Sequence, residues 1–210
     1  MPTLLHLDVS PRGDYSVSRQ LTKAVVEDWK KNNAGGKVIY RDLSETPLPF
    51  VDLPWIAAAY STPDQHTPEQ QAAIGVSNKL VDELLAADEI VIGTPMYNFT
   101  VPAALKGWVD HIVRLGRTFN AKYEGLAAGK KARIVMASGG SYEAGAYMEQ
   151  ANFFSSYIRF ILGFVGIKDV EIYLAGGTSA ISQGQTTLDA YVAEHAPKAV
   201  AHLSRELVAA

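Results

Sequence analysis

The chain has 210 residues, of which 48% are hydrophobic and 20% charged; this is the size and composition of one compact domain, residues 1–210, with a core of its own, and it excludes disorder as the dominant state. The net charge is −3 and both signs are mixed along the chain, so no basic cluster tracks a phosphate backbone or an anionic lipid surface, and neither nucleic acid nor a membrane is expected as a partner. There is no cysteine, which removes disulfides, thiolate nucleophiles, Cys-ligated zinc and iron–sulfur clusters together and leaves redox chemistry to a bound cofactor.

Thr3 to Val9 is a short apolar run of strand length. It is followed by the turn-forming Ser10-Pro11-Arg12-Gly13-Asp14 and a helical pattern from Ser16 to about Asn33. No basic segment precedes the apolar run and Asp8 lies inside it, unlike a secretory signal. The most apolar stretch, Phe153–Val165, is interrupted by Arg159 and falls short of the about 20 residues a membrane span needs; a cytoplasmic protein is expected. Lys37 to Asp42 repeats the strand signal. Ser44 to Pro68 holds five of the ten prolines with Phe50, Trp55 and Tyr60 and reads as an insertion with one short helix.

Glu69 to Ala87 has helical spacing at Ile74, Leu80, Val81, Leu84 and Leu85, and Glu89 to Thr94 is the continuous apolar run of a strand buried on both faces. Pro102 opens a helix through Leu105, Trp108, Val109, Ile112 and Val113, ended by Gly116. Ala132 to Ala137 is a further strand, then come a helix from about Tyr147 to Val165, a strand from Asp169 to Ala175 and a terminal helix from about Thr187 to Val208. Five alternations of strand and helix predict right-handed βαβ crossovers and a doubly wound α/β domain: a five-stranded parallel sheet with helices on both faces. Ligands of such sheets bind outside the carboxyl ends of the strands, which singles out the loops after the first, third and fourth.

The first loop presents Ser10, Ser16 and Ser18 at the start of a helix. Unpaired N–H groups and the positive end of the helix dipole make such a place an anion pocket without a lysine, suited to a phosphate monoester; the same hydroxyls would also serve as helix caps alone. The loop is neither G-x-G-x-x-G nor G-x-x-x-x-G-K-[ST], against a dinucleotide Rossmann site or a P-loop. The third-strand loop, Thr94-Pro95-Met96-Tyr97-Asn98-Phe99, offers apolar and aromatic surface that a flat ring would cover, or that turns into the core. After the fourth strand, Ser138-Gly139-Gly140-Ser141 lets backbone amides approach a ligand carbonyl, or is an ordinary turn. A serine-hydrolase elbow fails there, because Glu143 stands where G-x-S-x-G needs glycine. His6, His66, His111, His195 and His202 have no metal-ligand spacing; His195 and His202 share a face of the last helix without a carboxylate trio, and no metal is assigned.

Together the loops resemble those of the FMN-dependent NADH:azoreductase and quinone reductase family, whose fold is flavodoxin-like. The resemblance is strongest in P-M-Y-N-F, Pro95 to Phe99, and the stretch from it to Phe119. It extends through S-P-R-G-x-x-S-x-S at Ser10 to Ser18, E-G-L-x-x-G-K-K-A at Glu124 to Ala132 and L-G-F-V-G-I at Leu162 to Ile167. It implies that Ser10, Ser16, Val17 and Ser18 hold the FMN phosphate, that Met96, Tyr97, Asn98 and Phe99 line the flavin ring, and that Ser138, Gly139 and Gly140 meet its pyrimidine edge. It further implies a homodimer with the flavin at the interface; Phe99, Phe119 and Phe164 are candidate walls of the substrate pocket, Phe164 equally a candidate core residue, and the Ser44–Pro68 insertion with Trp55 and Tyr60 is a candidate cover, of its own site or across the dimer. Many members have S-R-G-G where this chain has Ala137-Ser138-Gly139-Gly140, so any contact of that arginine is lost here. The expected activity is ping-pong: NADH, or NADPH, reduces FMN, and quinones or azo compounds then take the electrons, with no catalytic side chain required because the flavin carries the chemistry. The alternative is a flavodoxin-type electron carrier without its own substrate, although a charge of −3 does not promise the acidic face such carriers use. A receiver-like signalling domain is disfavoured, since Asp8 stands alone after the first strand and Thr94-Pro95-Met96 occupies the phosphorylation position.

Overall fold

The computed structural model describes residues 1–204; the end of the expected terminal helix, 205–208, lies outside the described residues. Within them, five strands, β1 (Thr3–Asp8), β2 (Lys37–Asp42), β3 (Glu89–Pro95), β4 (Lys131–Ala137) and β5 (Asp169–Ala175), form one sheet. Its order is β2-β1-β3-β4-β5 and every neighbouring pair is parallel. The crossovers are α1 (Val17–Asn32), then α2 (Leu53–Ala59) with α3 (Pro68–Ala86), then α4 (Ala103–Ile112) and α5 (Phe153–Phe164); α6 (Ser179–Ser182) and α7 (Leu188–Leu203) follow β5. This is the flavodoxin-like doubly wound α/β architecture. The winding reverses between β1 and β3, where the loops after these adjacent strands leave in opposite directions and open a crevice at the carboxyl ends.

Alternation along the strands sorts the core into two layers. Leu5, Leu7, Ile90, Ile92, Ile134 and Met136 pack on one face with residues of α3, α4 and α5, whereas Leu4, Val91 and Val135 pack on the other with α1 and α7. Helix ends follow local chemistry. Thr67 and Gln70 form a reciprocal capping box that starts α3. The helix expected from Tyr147 begins only at Phe153, because the Asn152 carboxamide accepts from the Ser155 amide and fixes the N-cap there. Likewise α4 stops at Ile112, before Gly116: the Thr118 hydroxyl donates to the Ile112 carbonyl (2.6 Å) and accepts from the Arg114 amide (2.9 Å), diverting the chain. The expected short helix in the insertion is α2, and the short α6 carried no sequence signal.

The insertion differs from expectation in one respect. Trp55 is buried against Ala58 and Ile74 and lies under the Arg114 guanidinium at 5.4 Å, so it belongs to the core and is not free to cover a site of its own chain; Tyr60 is exposed. His6 and His111 are also buried, and the His111 ring contacts the Pro49 carbonyl at 2.8 Å.

Since α4 runs back from the carboxyl end of β3, the segment 113–130 crosses the amino end of the sheet. Lys130 donates to the Leu85 and Ala87 carbonyls just ahead of β3, and the Ala127 amide donates to Val165 at the end of α5. Gly125 makes this packing possible, because a Cβ there would stand 2.2 Å from the Gly166 nitrogen and 2.3 Å from the Val165 carbonyl carbon. Gly125→Ala should therefore lower the thermal midpoint, costing about 1–3 kcal/mol or more through backbone displacement. Gly75→Ala, within α3 and facing open space, should instead add about 0.5–1 kcal/mol; equal midpoints for the two variants would refute the packing argument.

Candidate functional site

Three loops meet the crevice at the carboxyl ends of β1, β3 and β4. In the first, a single 3-10 turn at Gly13–Tyr15 leads to Ser16, which caps α1 by accepting from the Arg19 amide (3.4 Å). Ser16 and Ser18 hydroxyl oxygens lie 3.2 Å apart, and Ser10 accepts from the Arg12 amide at 3.4 Å. Capping and anion binding thus coexist here. The Ser16–Ser18 pair can use only one of its two hydrogens internally, the Ser10 hydroxyl has no acceptor among the described residues, and neither do the amides of Val17 and Ser18 at the first turn of α1. These donors, at the positive end of a 16-residue helix, suit a phosphate dianion.

Arg19 is committed elsewhere, whereas the loop's other cation, Arg12, is exposed. Arg19 turns away and buckles the loop, donating through Nε (2.8 Å) and Nη2 (2.6 Å) to the Ser10 carbonyl and through Nη2 to Ser44 Oγ (2.9 Å). Its Nη1 meets Asp42 at 2.5 Å and Asp8 at 3.6 Å. Burial alone would push the Asp42 carboxyl up, but hydrogen bonds from Arg19 and from the Ser44 hydroxyl and amide outweigh it and hold the group at about 2. Tyr40, which donates to Asp8, is pushed up to about 12, first by burial and then by the two carboxylates.

After β3, the Met96 amide is bound to Ala137 of the neighbouring strand (2.8 Å), and Tyr97 and Thr100 exchange two backbone bonds of 3.1 Å. That narrow pair closes a two-residue turn in which Asn98 (φ 47°) and Phe99 (φ 71°) are both left-handed. Asn accepts this region readily, whereas for a bulky residue such as Phe99 it costs on the order of 1 kcal/mol or more. The amides of Asn98 and Phe99 have no acceptor among the described residues. Met96 is nearly buried, while Tyr97 and Phe99 are each more than two-fifths exposed, so the loop shows an apolar surface to the crevice.

After β4, three consecutive carbonyls are tied toward β5. Thr178 gives its amide (3.0 Å) and hydroxyl (2.9 Å) to Ser138, Ser179 its hydroxyl (2.9 Å) and amide (3.3 Å) to Gly139, and Gly177 its amide (3.1 Å) to Gly140, which also accepts from the Ser138 hydroxyl (2.8 Å). In a trans peptide the carbonyl and the following N–H point in opposite directions, and the chain has no cis bond among the described residues. The amides of Gly139, Gly140 and Ser141 therefore face away from β5, toward the β3 loop, and none has a protein acceptor among the described residues. Neither glycine has a positive φ, and a Cβ on Gly139 would find its nearest neighbour at 3.9 Å; what glycine provides is open access to these amides.

Phe119 and Phe164 are brought together, their ring centroids 5.0 Å apart, with Tyr123 stacked on Phe119 at 6.2 Å. This cluster lies on the segment 113–130 and the end of α5, at the amino end of the sheet, and so opposite the three loops of its own chain. What sequence reasoning missed is the ring of supports, Arg19, Asp42, Thr178, Ser179 and Tyr191, which touch the loops from behind and belong to no motif. An apolar cleft of about 390 Å³ joins the loop after β1 (Pro11), the loop after β3 (Tyr97), the insertion (Leu48, Phe50) and the start of α4 (Pro102).

Comparison with known proteins places the chain's fold. The family described as flavodoxin-like fold matches residues 2–199. A protein of Jannaschia sp. (strain CCS1) called an FMN-dependent NADH:quinone oxidoreductase is 47% identical over 193 residues, 92% of this chain and 95% of its own. One of the same description from Burkholderia lata is 44% identical, over 95% of this chain and 97% of its own. Among solved structures, an azoreductase from Bacillus anthracis str. Sterne superposes with a TM-score of 0.81 at 26% identity, covering 96% of this chain and all of the other.

The Arg19 buckle should be visible in acid. Asp42 has a folded-state value of about 2 against an unfolded value of ~3.9. Its contribution, on the order of 2 kcal/mol, is therefore complete above the unfolded value and lost as pH falls through the folded one. Urea midpoints measured from about pH 5 down to about pH 2 should decline, and Asp42→Asn should remove part of that decline; an unaltered acid slope in the variant would rule out Asp42 as its source.

Proposed function

The chain belongs to the flavodoxin-like fold family, and from that premise we propose that it is an FMN-dependent NADH:quinone oxidoreductase that also reduces aromatic azo compounds. The observation that carries this reading is the donor set at the crevice. Hydroxyls and amides of the first loop suit a phosphate monoester, and five unpartnered amides on the second and third suit the heteroatoms of a flat ring whose faces Met96, Tyr97 and Phe99 would cover. FMN has these parts in this order, and the relatives described as FMN-dependent NADH:quinone oxidoreductases match more than nine-tenths of the chain.

Bound there, FMN would supply the relay of two electrons between a nicotinamide donor and an acceptor. The chain's own part is to hold the phosphate at Ser10, Ser16, Val17 and Ser18, to pack Met96 to Phe99 along the ring, and to turn the amides at Ser138–Ser141 to its polar edge. NADH would leave as NAD⁺ after giving up a hydride, and a quinone would then take two electrons and two protons, one proton from solvent; a full azo cleavage needs two such rounds. One stacking surface serving both partners in turn accounts for a ping-pong order.

We also infer a homodimer, which the placement of the aromatics supports. Phe119 and Phe164 cannot line a pocket with the loops of their own chain, from which the sheet separates them, but a second copy could bring its amino-end cluster against them. Phe160, 71% exposed on α5 one turn before Phe164, extends the apolar surface available for such a contact. Among the described residues no helix is long and apolar enough to cross a membrane, and with NADH as donor we place the activity in the cytoplasm.

Purified protein should be yellow or become so with FMN, be bleached by NADH without oxygen, and recover with a quinone or azo dye over many turnovers. Protein that stays colourless with FMN refutes the reading, and a single bleaching without steady turnover favours an electron carrier. Asn98→Ala should weaken flavin retention or slow hydride transfer with the fold intact. Asn98→Gly, which keeps the left-handed turn, should retain more flavin if the backbone amide is the contact; unchanged flavin affinity and rate in both variants would remove Asn98 from the site.

A further inference from the structure

The loop after β4 is held more firmly than hydrogen-bond satisfaction requires. The Ser138 and Gly139 carbonyls already accept from the Thr178 and Ser179 amides, and each receives a second bond from the hydroxyl of the same residue. Behind this latch the buried Tyr191 on α7 donates to the Gly176 carbonyl at 2.6 Å, and its ring is stacked on His195 at 4.0 Å. Gly176 itself fits tightly, since a Cβ there would come within 3.1 Å of the Gly140 carbonyl oxygen and of Ser141 Cα. The path from α7 through 176–179 to 138–140 is thus continuous, and its outcome is three parallel N–H groups without protein acceptors.

Resting on the FMN reading above, we propose that Thr178 and Ser179 are positioning residues that raise the reduction potential of the bound flavin. Hydride transfer from NADH brings two electrons and one proton, which leaves negative charge at the pyrimidine edge of the ring. Amide dipoles already fixed toward that edge stabilise the charge without reorganising when it arrives. A loop free to rock would bind the uncharged ring almost as well, because a neutral carbonyl asks less of its donors than an anion does. The two hydroxyls therefore matter more for the reduced cofactor than for the oxidised one.

The test uses Thr178→Val, Ser179→Ala and the double variant of the full chain, with Thr178→Ser as the conservative control. Binding of FMN to apoprotein is followed by flavin fluorescence, and the midpoint potential by equilibration with reference dyes. With each hydroxyl bond worth about 1 kcal/mol, the double variant should bind oxidised FMN about threefold more weakly and reduced FMN about thirtyfold more weakly. That about tenfold difference lowers the two-electron potential by about 30 mV. Thr178→Ser should match the unaltered protein. A lower thermal midpoint with an unshifted potential would mean that the latch is only structural and would overturn the proposal. If the double variant does not fold, the half-buried Ser179→Ala and the isosteric Tyr191→Phe are read alone, and no negative shift in either overturns it. Unaltered protein that fails to bind FMN would refute the functional reading itself, and the latch proposal with it, which separates the two failures.

Discussion

A buried backbone carbonyl must find a donor, and in each loop of the crevice this requirement is met from within the chain on the side away from the ligand space. Arg19 takes the Ser10 carbonyl, Thr100 takes that of Tyr97, and residues 177–179 take those of Ser138, Gly139 and Gly140. In the loops after β3 and β4 peptide planarity then decides the rest, because a carbonyl drawn one way turns the next N–H the other; Ser10 is followed by Pro11, which has no N–H, and the first loop's donors come from the start of α1 instead. The result is a crevice rimmed with donors, assembled from residue types with little chemistry of their own. A ligand rich in acceptors, with a phosphate at one end and ring carbonyls at the other, is its complement.

The same arrangement explains how the first loop can take an anion with two buried carboxylates nearby. Asp8 and Asp42 would repel a phosphate if they stood alone. Arg19 lies between them and neutralises one of the two charges, while Tyr40 and Ser44 supply hydrogen bonds to the remainder. The Arg19 guanidinium is committed to holding the loop, and the hydroxyls and helix amides beside it carry no full charge to be desolvated. Proximity of Gly93 on β3 belongs to this packing: a Cβ there would stand 2.8 Å from both Asp8 Oδ1 and Thr22 Oγ1.

At the other end of the sheet, the Phe119, Tyr123 and Phe164 cluster forms an apolar surface, and Phe160 on α5 is exposed one turn before it. The two ends are complementary in kind, one a donor-lined crevice open above its ring surface and the other a projecting aromatic wall.

The periodicity of the apolar residues was sufficient to determine the five strands, their parallel association and the helices on both faces, because each buried run has only one partner surface that can cover it. The positions of the Ser10–Ser18, Pro95–Phe99 and Ser138–Gly140 loops were legible for a related reason: each follows directly on a strand whose apolar run ends in turn-forming residues. Helix starts at Phe153 and the stop at Ile112 were misjudged, since both depend on one side-chain cap, at Asn152 and Thr118, that outweighs a continuing apolar pattern. Trp55 read as a cover and proved to be core, because an aromatic in a proline-rich stretch has no periodicity to show which way it faces. Only the tertiary structure decided the direction of the loop amides and the identity of their supports. Arg19 and Asp42 are 23 positions apart, and Ser138 and Thr178 are 40; such pairs meet through strand order, which acts across the sheet and leaves no local trace in the chain.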